Sequence, residues 1–166
     1  MKKHFRVLTS TALVLAIAAP AVLPGERLNL SPGPAGNSTP PKDPPYHKHS
    51  PKGPVPTTLD PAQFKDNPRA YAAYSVAAKI RELLYQEPCF CGCRRLEGHE
   101  SLLDCFSSAH GVVCHACQSE AIFCFEQHKH GKSAKEIRKT MFKFTWLGID
   151  LDQYARDYQA TIAQEK

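Results

Sequence analysis

Apolar positions along this chain fall into three regimes. Residues 7–19 are largely apolar and uncharged, residues 31–60 show no apolar period, and beyond Asp60 the apolar residues recur at helical spacing. In the third regime Asn67 before Pro68 reads as a helix start, with the proline in the first turn where its missing N–H costs nothing. Ala73, Val76, Ala77, Ile80, Leu83 and Leu84 then form one core-facing stripe, and Pro88 ends that helix. Ser101 with Asp104 has capping-box form before the apolar anchors Leu102, Leu103 and Phe106 of a short helix that carries Cys105.

A turn at Gly111 leads toward a helix over 119–129, which Gly131 closes. Ser133 and Glu136 cap the next helix, with Ile137, Met141 and Phe144 on one face. Asp150 and Gln153 begin a last one striped by Leu151, Tyr154, Ala155, Tyr158 and Ile162. No segment alternates as a strand would. The pattern therefore predicts an all-α fold: a small helical domain over 61–166 around a cysteine-rich loop, preceded by a disordered Pro-rich tether over 22–60.

The first regime changes the reading of the charge. Lys2, Lys3 and Arg6 precede the apolar run, and small residues follow it, which is the form of a secretory signal peptide over 1–21. The run is short for a membrane span of about 20 residues, although Val22 and Leu23 extend it, so an uncleaved anchor is the alternative. Removing residues 1–21 lowers the net charge from +5 to +2. The remaining Lys and Arg are scattered without an aromatic platform, which argues against nucleic acid as a partner. Nine prolines between Ser31 and Asp60 describe a segment that cannot bury enough apolar surface to offset its ordering entropy. It is expected to be extended, at roughly 3 Å per residue. His47 and His49 fall in this tether and are read as solvated.

The chemistry concentrates in seven cysteines. Cys89, Cys91 and Cys93 alternate within five residues, and a Cys-x-Cys pair is poorly placed for a disulfide. The same spacing suits a metal, because one loop flexed at Gly92 can aim neighbouring sulfurs at one ion. Cys105, Cys114 and Cys117 supply further thiolates. Cys114-x-x-Cys117 stands at a helix start, where the helix dipole favours the thiolate. His99, His110 and His115 offer imidazole, with His99 preferred. Soft thiolates select Cu(I) or Zn(II). Cys124 and His128 follow Cys117 on the same helix face, but Cys124 is read as a small buried hydrophobe and His128 as a surface residue. Arg94 and Arg95 directly after the cysteine run would offset surplus thiolate charge.

Other chemistries find no support. Cys117 is followed by Gln118, so the Cys-x-x-Cys-His haem attachment pattern fails. The chain has no His-Glu-x-x-His, no P-loop, no Gly-rich fingerprint and no serine elbow.

The run Pro88-Cys89-Phe90-Cys91-Gly92-Cys93 resembles the hexapeptide Pro-Cys-Tyr-Cys-Gly-Cys of the PCYCGC-motif proteins of bacteria, with Phe90 in place of the tyrosine. The likeness runs through Gly98-His99, Ser101, Cys105-Phe106, Cys114-x-x-Cys117, Glu120-Ala121 and Glu136-Ile137-Arg138, over roughly residues 67–144. The resemblance implies export and a cysteine-centred site without naming a reaction.

The expected function is that of an exported metal-binding protein, not an enzyme. Cys89, Cys91, Cys93, His99, Cys105, Cys114 and Cys117 are its expected metal ligands, holding Cu(I) or Zn(II) for sequestration or delivery. Its expected location is bacterial and extracytoplasmic: periplasm, cell surface or medium. The expected partner, besides the ion, is an exported protein that receives or donates metal, with membrane contact only through an uncleaved N-terminal anchor. The alternatives are a disulfide-stapled interaction module and a thiol–disulfide oxidoreductase working through Cys114 and Cys117.

Overall fold

The computed structural model describes residues 44–164. The signal segment and residues 22–43 of the expected tether lie outside that range. Among the described residues there are eight α-helices, two short 3-10 turns and no strand. All-α is therefore the fold class.

Helix α1 (Pro68–Lys79) starts as its sequence dictates, with Asn67 accepting from the Ala70 N–H and Pro68 in the first turn. The expected stripe is buried throughout: Ala73, Val76, Ala77, Ile80, Leu83 and Leu84 all face the core. It belongs to two helices rather than one. Ile80 leaves helical geometry at φ −127° and ψ 31°, and its N–H bonds the Ala77 carbonyl three residues back. Helix α2 (Arg81–Tyr85) follows directly, with Ile80 as its N-cap. The apolar period continues across the break, so the sequence pattern does not register it.

The centre of the domain is helix α6 (His115–Lys129), which packs against α1 and begins four residues earlier than expected. Helix α7 (Ala134–Met141) carries the full Ser133–Glu136 capping box. Helix α8 (Leu151–Gln164) starts with Asp150 accepting from the Gln153 N–H, and Arg69 of α1 pairs with its Asp152. Phe144 is not part of α7's buried face: the helix ends at Met141, and Phe144 takes a left-handed conformation with its side chain half-exposed.

Three short helices lie between α2 and α6: α3 (Cys93–Glu97), which Cys93 opens, α4 (Asp104–Ser107), which bears Cys105, and α5 (His110–Val113). Backbone bonds from Leu102 N–H to the Glu87 carbonyl (2.9 Å) and from Leu103 N–H to the Leu84 carbonyl (3.3 Å) close the base of the cysteine loop. Of the expected capping box the Asp104 half forms, its Oδ2 accepting from the N–H groups of Glu100 and Ser101, whereas the Asp104 N–H bonds the Ser101 carbonyl rather than its hydroxyl. Gly111 is not a turn residue but a packing one inside α5. A Cβ there would lie 3.1 Å from both the Cys105 carbonyl and the Tyr74 hydroxyl. Tyr74 reaches across from α1 to donate to the Ser108 carbonyl at 2.6 Å, which fixes the corner between α4 and α5.

The tether boundary also shifts. Residues 44–60 have no helix or strand, as their prolines require, but they lie on the domain as a strap. Tyr46 packs edge-on to Phe142 and under the Arg138 guanidinium, and His47 stacks on Tyr85 with ring centroids 3.8 Å apart. Val55 and Leu59 touch the core, and Leu59 N–H bonds the Phe106 carbonyl. Aromatic and aliphatic residues spaced among the prolines supply the burial that proline content alone conceals.

Candidate metal centre

The cysteine run begins where Pro88 stops α2. Gly92, at φ +81°, turns the chain so that Cys91 and Cys93 fall on either side of it, and Cys93 becomes the first residue of α3. Phe90 anchors the loop twice. Its ring sits among Phe142, Phe144 and Trp146, and its N–H donates to Oε1 of Glu120 at 2.9 Å. Glu120 is wholly buried on α6. Gln118, also buried, donates to the Gly111 and Val112 carbonyls at 2.9 Å and so locks α5 onto the start of α6. Four separate pieces of chain are thereby held against one another around the sulfurs.

Those sulfurs converge. Sγ of Cys89 lies 3.2 Å from Cys91, 3.5 Å from Cys117 and 3.6 Å from Cys105. Cys93 lies 3.6 Å from Cys105, and Cys117 lies 3.6 Å from Cys91. All seven cysteines are free thiols. Ligands about 2.3 Å from one tetrahedral ion are about 3.8 Å apart, so these separations are those of neighbours in a shared coordination shell. Cys89, Cys91, Cys93 and Cys105 have their sulfurs within 4.8 Å of one another. This cluster can hold a metal ion.

The remaining expected ligands are placed unequally. His99 is half-buried, with Nδ1 3.3 Å from the Cys105 sulfur and its ring edge-on to His110, but it completes none of the donor sets. The imidazole that joins a full donor set is His110. Its Nε2 is 3.6 Å from Cys91, and it groups with Cys91, Cys105 and Cys117 within 4.8 Å. Cys114 forms the N-cap of α6 and borders Cys91 and Cys117, but it completes none of these sets. His115 points away, 3.3 Å from the Arg69 guanidinium. Cys124 is buried against the Met141 sulfur at 3.4 Å, and His128 is exposed, as the sequence suggests for both.

Sequence reasoning missed Glu120, which groups with Cys89 and Cys117. Its signal was available, because three residues after Cys117 on a helix is the same face. His110 ranked below His99 because its place depends on tertiary contacts that spacing does not report: Tyr74 donating to the Ser108 carbonyl, and Gln118 holding α5.

Hydrogen bonding divides the thiols. Cys91 is pulled well below the usual thiol range by S–H groups of Cys105, Cys114, Cys117 and Cys89, and Cys93 is pulled down by Cys105 and then Cys89. Cys89 is pulled down by Cys105, but bonds to Cys117, Cys91 and Cys93, together with burial, outweigh this and push it up. Cys105 is also raised: against the lowering bond from Cys117, those to Cys89, Cys91 and Cys93 prevail. Cys117 is raised by Cys105 and Cys114. Burial pushes Glu120 far above the carboxylate range despite the Phe90 N–H, and its Oε2 has no hydrogen-bond partner. The metal-free cluster thus favours few thiolates, each held by neighbouring S–H donors, and keeps its other protons until a cation displaces them.

A cavity of about 570 Å³ opens beside Cys89 and Cys91, lined further by Pro45, Phe90, Arg94, Arg95 and Phe144. Arg94 is shared with Glu100 at 3.8 Å, with both side chains about half-exposed. The two arginines thus stand at the mouth of the cluster, where solvent weakens their field.

No curated protein and no solved structure matches this chain. The family model described as "protein of unknown function with PCYCGC motif" matches residues 47–145, well over half of the sequence. Its span takes in the cysteine loop, the α4–α5 corner, α6 and part of the strap. With that match and the hexapeptide at 88–93, the chain belongs to the PCYCGC-motif family.

Proposed function

We propose that this is an exported bacterial protein that binds thiophilic ions, Cu(I) or Zn(II), and holds them or passes them to another exported protein. One observation carries the reading: four free thiols, Cys89, Cys91, Cys93 and Cys105, lie within 4.8 Å of one another in a largely buried site. A single cysteine packs as a small hydrophobe, but four in mutual contact add only weak S–H donors and acceptors that a core does not need, whereas a thiophilic ion uses all four. Export rests on the basic and apolar pattern of residues 1–21. Delivery rests on Cys91, the half-buried member of the set, which faces the cavity of Arg94 and Arg95 and is open to an incoming sulfur.

The test is metal analysis and thiol titration of the full chain purified without oxygen. Bound metal in stoichiometric amount, lost in Cys93→Ser and Cys105→Ser, is expected. A metal-free protein whose thiols are tied as disulfides would overturn the reading.

A second reading, thiol–disulfide exchange, is favoured by Cys114 at the N-cap of α6 with Cys117 in its first turn. It requires insulin reduction that disappears in Cys114→Ser and survives in Cys93→Ser.

A further inference from the structure

Two four-donor sets overlap inside the cluster. Cys89, Cys91, Cys93 and Cys105 make an all-sulfur set, and Cys91, Cys105, Cys117 and His110 make a set of three sulfurs and one nitrogen. Cys91 and Cys105 belong to both. Each set alone has the composition of a closed tetrahedral site, either all thiolate or three thiolates with one imidazole. One four-coordinate ion would leave two of the six donors idle, yet the fold holds all six together with two further buried groups, Glu120 and Gln118, bracing the elements that bear them. Two four-coordinate ions need eight ligand positions. Six donors fill eight positions when two of them bridge, and two is the number shared.

Charge points the same way. Cys89, Cys93, Cys105 and Cys117 are each 6 % exposed or less, and surplus negative charge there is costly to desolvate. One divalent ion among five thiolates leaves an excess of three negative charges, whereas two divalent ions leave one. The neutral imidazole of His110 completes the second site without adding to that excess. Arg94 and Arg95 at the cavity mouth face the charge that remains.

We propose that the centre holds two divalent thiophilic ions, bridged by the sulfurs of Cys91 and Cys105, with His110 as a terminal ligand of the second. The proposal rests on the metal-binding reading above and adds to it the ion count, the bridges and the role of His110. Both positions share the half-buried Cys91, but the second also has half-buried His110, so its ion is the more accessible of the two.

Cd(II) is the probe, added to the reduced, metal-free full chain under nitrogen and followed by native mass spectrometry and cadmium NMR. Two ions per chain are expected, giving one signal in the all-sulfur region and one in the mixed sulfur–nitrogen region, each split by the other through the bridging sulfurs. His110→Ala should bind one ion with its helical circular dichroism unchanged. His110→Cys should bind two, with the mixed-ligand signal moved into the all-sulfur region. One ion per chain in the unaltered protein would overturn the two-ion centre and leave the metal-binding reading standing. No bound ion would overturn both. Two signals without mutual splitting would overturn the bridges, and two unmoved signals in His110→Ala would overturn the histidine's role.

Discussion

Gly92 holds φ at +81° with open space where a Cβ would stand, so its constraint is the backbone alone. Any L side chain there carries about 1–2 kcal/mol of left-handed strain. Gly92→Ala is expected to lose about that much stability in denaturant melts. It should also weaken metal competition against a chromophoric chelator, because relief of the strain swings Cys91 away from Cys93. An unchanged affinity would mean that the loop's turn does not position its sulfurs. At this scale the sequence was most informative for thiols and least for their companions. Alternation of Cys89, Cys91 and Cys93 announces a shared target, and the structure brings Cys105 and Cys117 to it. Histidine carries no such local signal. His99 and His110 both lie near cysteines in sequence and both reach a sulfur. Tyr74, some 36 positions before His110, braces the α4–α5 corner that bears on where His110 sits among three of them. Glu120 reads as an ordinary helix residue until Phe90 is seen to donate to it.

Among the elements, the join between α2 and the cysteine loop carries a buried carboxyl. Glu87 is fully buried, 3.7 Å from the Arg138 guanidinium of α7, and neither of its oxygens has a hydrogen-bond partner. Burial pushes its pKa from 4.5 up to about 8, with Arg138 pulling the other way. The folded state therefore holds this proton more tightly than the unfolded chain does. Stability from this group is fully present below pH 4.5 and is lost as pH rises toward about 8. In Glu87→Gln that loss should vanish, so the variant gains on the unaltered protein between these limits when both are melted metal-free and reduced. A constant difference across that range would show that Glu87 is already ionised when folded. Element boundaries were legible where a cap announces them, as at Asn67, Ser133 and Asp150. They were not legible at Ile80, where the apolar stripe runs on through a broken helix, because periodicity reports which side faces inward and not whether hydrogen bonds continue.

For the whole molecule, metal binding and folding are linked, because the donors come from α3, α4, α5, the start of α6 and the loop before α3. An ion that binds only this arrangement stabilises it by about 4 kcal/mol at a thousandfold excess over Kd. Chelation is therefore expected to lower Tm by calorimetry, and reloading to restore it. Loading must also expel the protons held on the raised thiols of Cys89, Cys105 and Cys117. Zn(II) added to weakly buffered protein near neutral pH should release acid, and affinity should rise with pH. No proton release would mean that the thiols are ionised before metal arrives.

The strap of residues 44–60 sets where a self-sufficient piece of this protein must begin. A peptide started at Pro61, where the helices commence, would strip His47 from the Tyr85 ring and Tyr46 from the edge of Phe142, and leave the Phe106 carbonyl without its Leu59 partner. Such a fragment should melt earlier and bind hydrophobic dyes that one started at Pro44 does not. Equal melting of the two would make the strap an ornament. The proline-rich stretch is then the outermost layer of the fold, and cutting it away trims the protein itself.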